Sequence, residues 1–123
     1  MNQLESTFEK RVMKTLRAQG CFVAHFGGPE GWCDLISIKH HSARLFELKS
    51  IREKNWEQME LRDVFELSQP AFIIANPMLH IMALIQTIDG VFMFGLTQEI
   101  ARKIPQGIRF NEIGFQPWDC HEP

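Results

Sequence analysis

The stretch Gly31-Trp32-Cys33-Asp34-Leu35-Ile36-Ser37-Ile38, followed after a short polar turn by Leu45-Phe46-Glu47-Leu48-Lys49, decides how this chain is read. An aspartate opens one apolar strand, and a Glu-Leu-Lys triplet closes the next. Side chains alternate faces along a strand, so Glu47 and Lys49 point one way and Leu48 the other. Gathering two carboxylates and an ammonium among apolar neighbours is unfavourable unless their charges are compensated. A divalent cation and a phosphate together would do so. Asp34 and Glu47 offer hard oxygen donors suited to magnesium or manganese. Lys49 can orient or deprotonate a water, or steady a phosphate. These residue types in this order point to metal-assisted phosphodiester cleavage.

The surrounding elements are legible from spacing. Leu4, Phe8, Val12 and Leu16 recur every four residues and predict a helix over 4–19, with Gly20 as its C-cap. On a helical wheel Glu5 falls inside that apolar arc and Glu9 at its edge. Cys21–Phe26 reads as a first strand, and Gly27-Gly28-Pro29-Glu30-Gly31 as a loop leading into Asp34. Asp34–Lys39 and Arg44–Lys49 form a hairpin turning at His40-His41-Ser42. Residues 55–68 are expected to be helical, and 71–75 to form a strand buried on both faces. Met78–Ile88 and Val91–Leu96 flank the hairpin signal Asp89-Gly90. Thr97 can cap a short helix through about Ile104. An irregular, loosely packed tail is expected beyond Pro105. The order specifies an α/β fold: a central mixed sheet flanked by helices.

The spacing of Asp34, twelve residues, then Glu47-x-Lys49 resembles the PD-(D/E)xK nuclease superfamily, with Cys33-Asp34 where that family often has Pro-Asp. The preceding helix with Glu5 and Glu9, the glycine loop and the following Glu57-Gln58 resemble the virus-type replication-repair nucleases and the archaeal Holliday-junction resolvases. The likeness covers roughly residues 4–75; residues 76–123 match no named pattern. It implies a restriction-endonuclease-like αβββαβ core. It also implies that Asp34, Glu47, the Leu48 backbone carbonyl and Glu5 and/or Glu9 hold Mg²⁺, with Mn²⁺ able to substitute. Of the two first-helix acids, the wheel favours Glu5. Lys49 would touch the nucleophilic water or the scissile phosphate. Gln58, His25 and the backbone at Gly28 would contact DNA or support the site. The implied setting is recombination or repair, as in phage.

Each residue also has a plainer reading. Asp34 can be a solvated turn residue, and Glu47–Lys49 an exposed ion pair worth little. Glu5 and Glu9 can complement the helix dipole. His25 on an apolar strand is more often a satisfied core histidine. Gln58 can be a surface residue, His40 and His41 turn residues, and Trp56 core.

At 123 residues, with 45% apolar and 23% charged residues, the chain is expected to be a single nuclease-like domain, core about 4–96 and C-terminal helix and tail about 97–123. No apolar run approaches the ~20 residues of a membrane span, and no signal-peptide pattern opens the chain. The scattered Cys21, Cys33 and Cys120 read as reduced thiols and a cytoplasmic location. No nucleotide cofactor is expected. Net charge is −2, but residues 1–62 carry ten Lys/Arg against eight Asp/Glu, and residues 63–123 carry three against seven. The modest basic excess argues for few, local phosphate contacts. The expected activity is a Mg²⁺-dependent DNA endonuclease, structure-specific because so short a chain leaves no room for a recognition domain. A homodimer built on the apolar 71–96 region would let two sites cut two strands. The alternatives are a non-catalytic DNA-binding or assembly subunit of the same fold, and an interaction module unrelated to nucleic acid.

Overall fold

The structure is a computed structural model that describes residues 3–26 and 33–119, with side chains from residue 6 onward. Helix α1 (Gln3–Ala18) buries Phe8, Val12, Met13 and Leu16 along one face. It ends as its sequence dictates. Gly20, at φ +89°, takes the left-handed conformation, and the Cys21 N–H donates to the Leu16 carbonyl (3.0 Å) while the Gly20 N–H donates to Arg17 (3.0 Å). This is the Schellman arrangement, which satisfies carbonyls the helix leaves open.

Strands β1 (Phe22–His25), β2 (Leu35–Lys39) and β3 (Ser42–Ser50) follow as an antiparallel meander. Strand β4 (Ile81–Thr87) joins β3 in parallel, and β5 (Gly90–Gly95) and β6 (Gln116–Pro117) continue antiparallel. The result is one mixed six-stranded sheet in the order β1-β2-β3-β4-β5-β6. Helix α2 (Ser68–Ala75) supplies the crossover from β3 to β4 that a parallel pair requires. Alternation along β3 divides the core. Phe46 and Leu48 pack with α1, Leu35 and Leu84; Leu45 and Ile51 pack with Trp56, Leu61, Phe65 and Phe110 on the other face. Glu47 and Lys49 therefore belong to the face opposite α1.

The αβββαβ order holds, but its fifth and sixth elements lie later in the chain than expected. Residues 55–68 form two single 3-10 turns, Trp56–Gln58 and Leu61–Asp63, instead of a helix. Tertiary pairing interrupts it: Glu60 bridges Arg109, the Leu61 N–H donates to Ile108 (2.8 Å), and the Phe110 N–H donates to Met59 (3.2 Å). Residues 71–75, expected as a strand, are helical within α2. Pro70 sits in that helix's first turn, where its missing N–H costs nothing, and a short apolar run does not separate strand from buried helix. The expected hairpin at Asp89-Gly90 is present between β4 and β5, Gly90 taking φ +125°. Thr97 caps helix α3 (Gln98–Lys103), its hydroxyl accepting from the Ile100 N–H at 3.2 Å.

Of the stretch beyond Pro105, expected to be loosely packed, the described residues 106–119 are fastened down at several points. Ile108 and Phe110 are buried, and Phe110 and Phe115 join Trp56 and Phe92 in an aromatic cluster with ring centroids 5.1–5.9 Å apart. Trp56 is core as expected; its indole N–H donates to Asp89 Oδ2 at 2.8 Å. Among the described residues, Cys21 and Cys33 are free thiols, and no helix is long and apolar enough to cross a membrane.

Candidate active site

Asp34 stands just before β2, one step from the Leu35–Phe46 pair, which places it across from Glu47. Its N–H donates to the Phe46 carbonyl (2.9 Å), and its Oδ2 accepts from the Leu48 N–H (2.8 Å). The carboxylate thus takes a backbone position in the ladder, which fixes it against the end of β3. N–H and C=O of one strand residue point to the same side, so the Leu48 carbonyl also faces the Asp34 edge.

Glu47 is 4% exposed. Its Oε1 lies 3.6 Å from Lys49 Nζ, and its Oε2 is buried with no hydrogen-bond partner among the described residues. Burial pushes its carboxyl up to about 8, the Asp34 charge pushes the same way, and Lys49 only partly opposes them. Burial, with Glu47 and Asp34, also raises the Cys33 thiol to about 12. A lone lysine therefore leaves this end of the sheet short of positive charge.

Glu9 completes the acidic row. It is 5% exposed, and its Oε1 lies 2.7 Å from Nδ1 of His25. Burial raises its pKa, His25 pulls it down and Asp34 raises it again. Asp34 thus acts on both Glu9 and Glu47. The wheel placed Glu9 only at the edge of the apolar stripe; next to Phe8, it is in fact well inside. The Glu5 side chain and Gly28 with its loop lie outside the described residues. His25 is not the core histidine of the plainer reading: its side chain is 72% exposed and reaches back to Glu9.

Gln58 is exposed in the Trp56–Gln58 turn and makes no side-chain hydrogen bond among the described residues. The glutamine beside Glu47 is Gln69, 5% exposed in the first turn of α2. Its Oε1 accepts from the Glu66 N–H (3.1 Å), and its contact with Glu47 lowers that carboxyl's pKa. Reading 71–75 as a strand hid this residue, because only a helical first turn after Glu66 aims Gln69 at β3. Replacing Gln69 with leucine removes that stabilisation of the charged carboxylate. The Glu47 pKa, followed by carbon NMR of the carboxyl, is expected to rise; an unchanged titration would show that Gln69 leaves Glu47 alone.

No protein-family model matches the chain, and no curated protein matches its sequence. Solved structures do. Hjc, a Holliday junction resolvase from the archaeal hyperthermophile Archaeoglobus fulgidus, superposes with a TM-score of 0.53 at 13% identity, covering 89% of this chain and 94% of that one. The fold is that of Hjc. At such identity the likeness speaks for the fold; the chemistry must come from the side chains.

Those side chains suit a hard divalent ion. Among the described residues no three His, Cys, Asp or Glu side chains converge closely enough to hold an ion by themselves. The pair Asp34 and Glu47, with the Leu48 carbonyl on the same side, is a donor set of the kind Mg²⁺ accepts, since it keeps several waters and needs only one or two carboxylates. The buried, partnerless Oε2 of Glu47 is the observation that asks for a cation.

Proposed function

We propose that this protein is a metal-dependent DNA endonuclease that cuts branched or flapped DNA in recombination or repair. Glu47 carries the reading: a carboxylate almost fully buried, beside a second one, with one oxygen unsatisfied. Asp34, Glu47 and the Leu48 carbonyl would hold Mg²⁺ or Mn²⁺, with Glu9, and Glu5 if its side chain reaches, adding a ligand directly or through water. A bound ion supplies charge to the phosphate and acidity to a water. Lys49, anchored beside Glu47 and largely buried, would orient the attacking water or steady a phosphate oxygen. Asp34 is held in place by two backbone bonds, so its carboxylate needs no reorganisation. His25, exposed and paired with Glu9, can meet a phosphate or keep Glu9 charged.

The likeness to Hjc favours a junction as substrate, and a two-fold pair of chains would cut both strands. The absence of a tight three-acid cluster among the described residues favours one rival, a DNA-binding subunit without chemistry. Both are tested with a synthetic four-way junction and a linear duplex in EDTA, Mg²⁺ or Mn²⁺, alongside Glu47→Ala. Metal-dependent incision of the junction, lost in the variant, is expected. Equal cutting by Glu47→Ala would overturn the site; junction binding without cutting in either metal would favour the rival.

A further inference from the structure

A cleft of about 430 Å³ opens on the α1 face at the end of the β2–β3 hairpin opposite the acidic site. That volume lies in the range of small-molecule pockets. Lys39 ends β2 and Asp34 stands just before its start, about 17 Å apart at strand rise. Ser37 and Phe46, which line the cleft, face away from Glu47. The cleft is therefore not the acidic site.

Its chemistry is the reverse of that site. Lys39, His40 and Arg44 form its rim, and no Asp or Glu lines it, in a chain whose net charge is −2. Lys39 is held in place, donating to the Gln19 carbonyl at the end of α1 (2.5 Å). Arg44 is exposed, with no hydrogen bond or ion pair among the described residues. Leu16, Phe46, Met93 and the half-buried Trp118 make an apolar floor and an aromatic wall. Ser37, 5% exposed, adds a small polar side chain to the lining. An anion alone would leave the apolar floor unused. An apolar ligand alone would leave the cations unused.

We propose that this cleft binds a nucleoside phosphate, with the phosphate at Arg44, Lys39 and His40, the base against Trp118 and Met93, and a polar edge at Ser37. A guanidinium suits phosphate oxygens in a two-pronged bond, and a base gains from stacking on an aromatic side chain. The source is either a DNA strand leaving the acidic site, in which case the inference rests on the nuclease reading, or a free nucleotide, in which case it does not.

The test is calorimetric titration in EDTA at low salt with two probes, 5′-dAMP and a six-residue thymidylate single strand. Wild type, Arg44→Glu and Glu47→Gln are compared. Arg44 is exposed, so its variant is expected to melt as wild type does. Binding at least tenfold weaker in Arg44→Glu and unchanged in Glu47→Gln is expected. A hexamer that binds tenfold or more tighter than dAMP identifies the strand as source; dAMP binding with no gain from the hexamer identifies a free nucleotide. Equal binding by wild type and Arg44→Glu, or no binding of either probe, overturns the proposal. Arg44-dependent binding in a protein that never cuts a junction would sink only the nuclease reading.

Discussion

Asp34→Asn is expected to abolish metal-dependent incision while leaving the protein folded. Asparagine keeps an oxygen to accept the Leu48 N–H, and the Asp34 backbone bond to Phe46 is untouched. What disappears is one negative charge from the proposed donor set. A metal ion contributes several kcal/mol of transition-state stabilisation, so its loss corresponds to roughly a thousandfold or more in rate. A second consequence separates this from misfolding. With the Asp34 charge gone, one cause of the raised Glu47 pKa is removed, and the Glu47 titration should move down toward the ordinary carboxylate range. Single-turnover cutting of a labelled junction and carboxyl NMR report the two effects independently. A variant that shows the pKa change and cuts at the wild-type rate would remove Asp34 from the chemistry.

The metal-free protein is expected to lose stability as pH rises from about 4.5 to about 8, against the usual behaviour of a carboxylate. The sign follows from Glu47, whose folded pKa is raised from 4.5 to about 8. Between those values the folded chain holds a proton that the unfolded chain has released, so raising the pH favours unfolding. Below both values the two states are equally protonated and the difference vanishes. A shift of this size corresponds to roughly 5 kcal/mol at most, enough to lower the melting temperature by about 10 °C or more in a chain of this length. Glu9, raised for the same first reason, adds in the same direction. Glu47→Gln should flatten the slope and be the more stable protein at pH 8. Mg²⁺ should restore wild type at pH 8, by about 2.7 kcal/mol at a hundredfold excess over Kd, and leave Glu47→Gln nearly unmoved. Thermal melts across pH, with and without Mg²⁺, measure all of this. A slope that persists in Glu47→Gln would assign it to another group.

The charge imbalance behind both expectations comes from the three acids acting together. Two acids, each raised mainly by burial, flank a third that is pinned by backbone. A purely structural ion pair would have placed a cation on each acid; here Lys49 serves Glu47 alone, and His25 meets Glu9 from the solvent side.

By itself the sequence determined the helix of residues 4–19 and its glycine stop, the Asp34 and Glu47–Lys49 hairpin, the Asp89-Gly90 turn and the Thr97 cap. In each case the determining interaction is local: a period, a left-handed glycine or a cap bond spanning three residues. Only the tertiary structure decided the rest. Residues 55–68 lost their helix because Met59–Leu61 pair with Ile108–Phe110, some fifty positions away. The apolar run at 71–75 became a helix because β4 claims the place beside β3 and leaves that run as the crossover. The same choice brought Gln69 to Glu47 and left Gln58 in solvent. Glu9's depth and His25's exposure depend on how α1 is rotated against the sheet, which its own periodicity does not specify to within one residue. Spacing names the residues of a site, but burial and charge coupling between them exist only once distant segments have packed together.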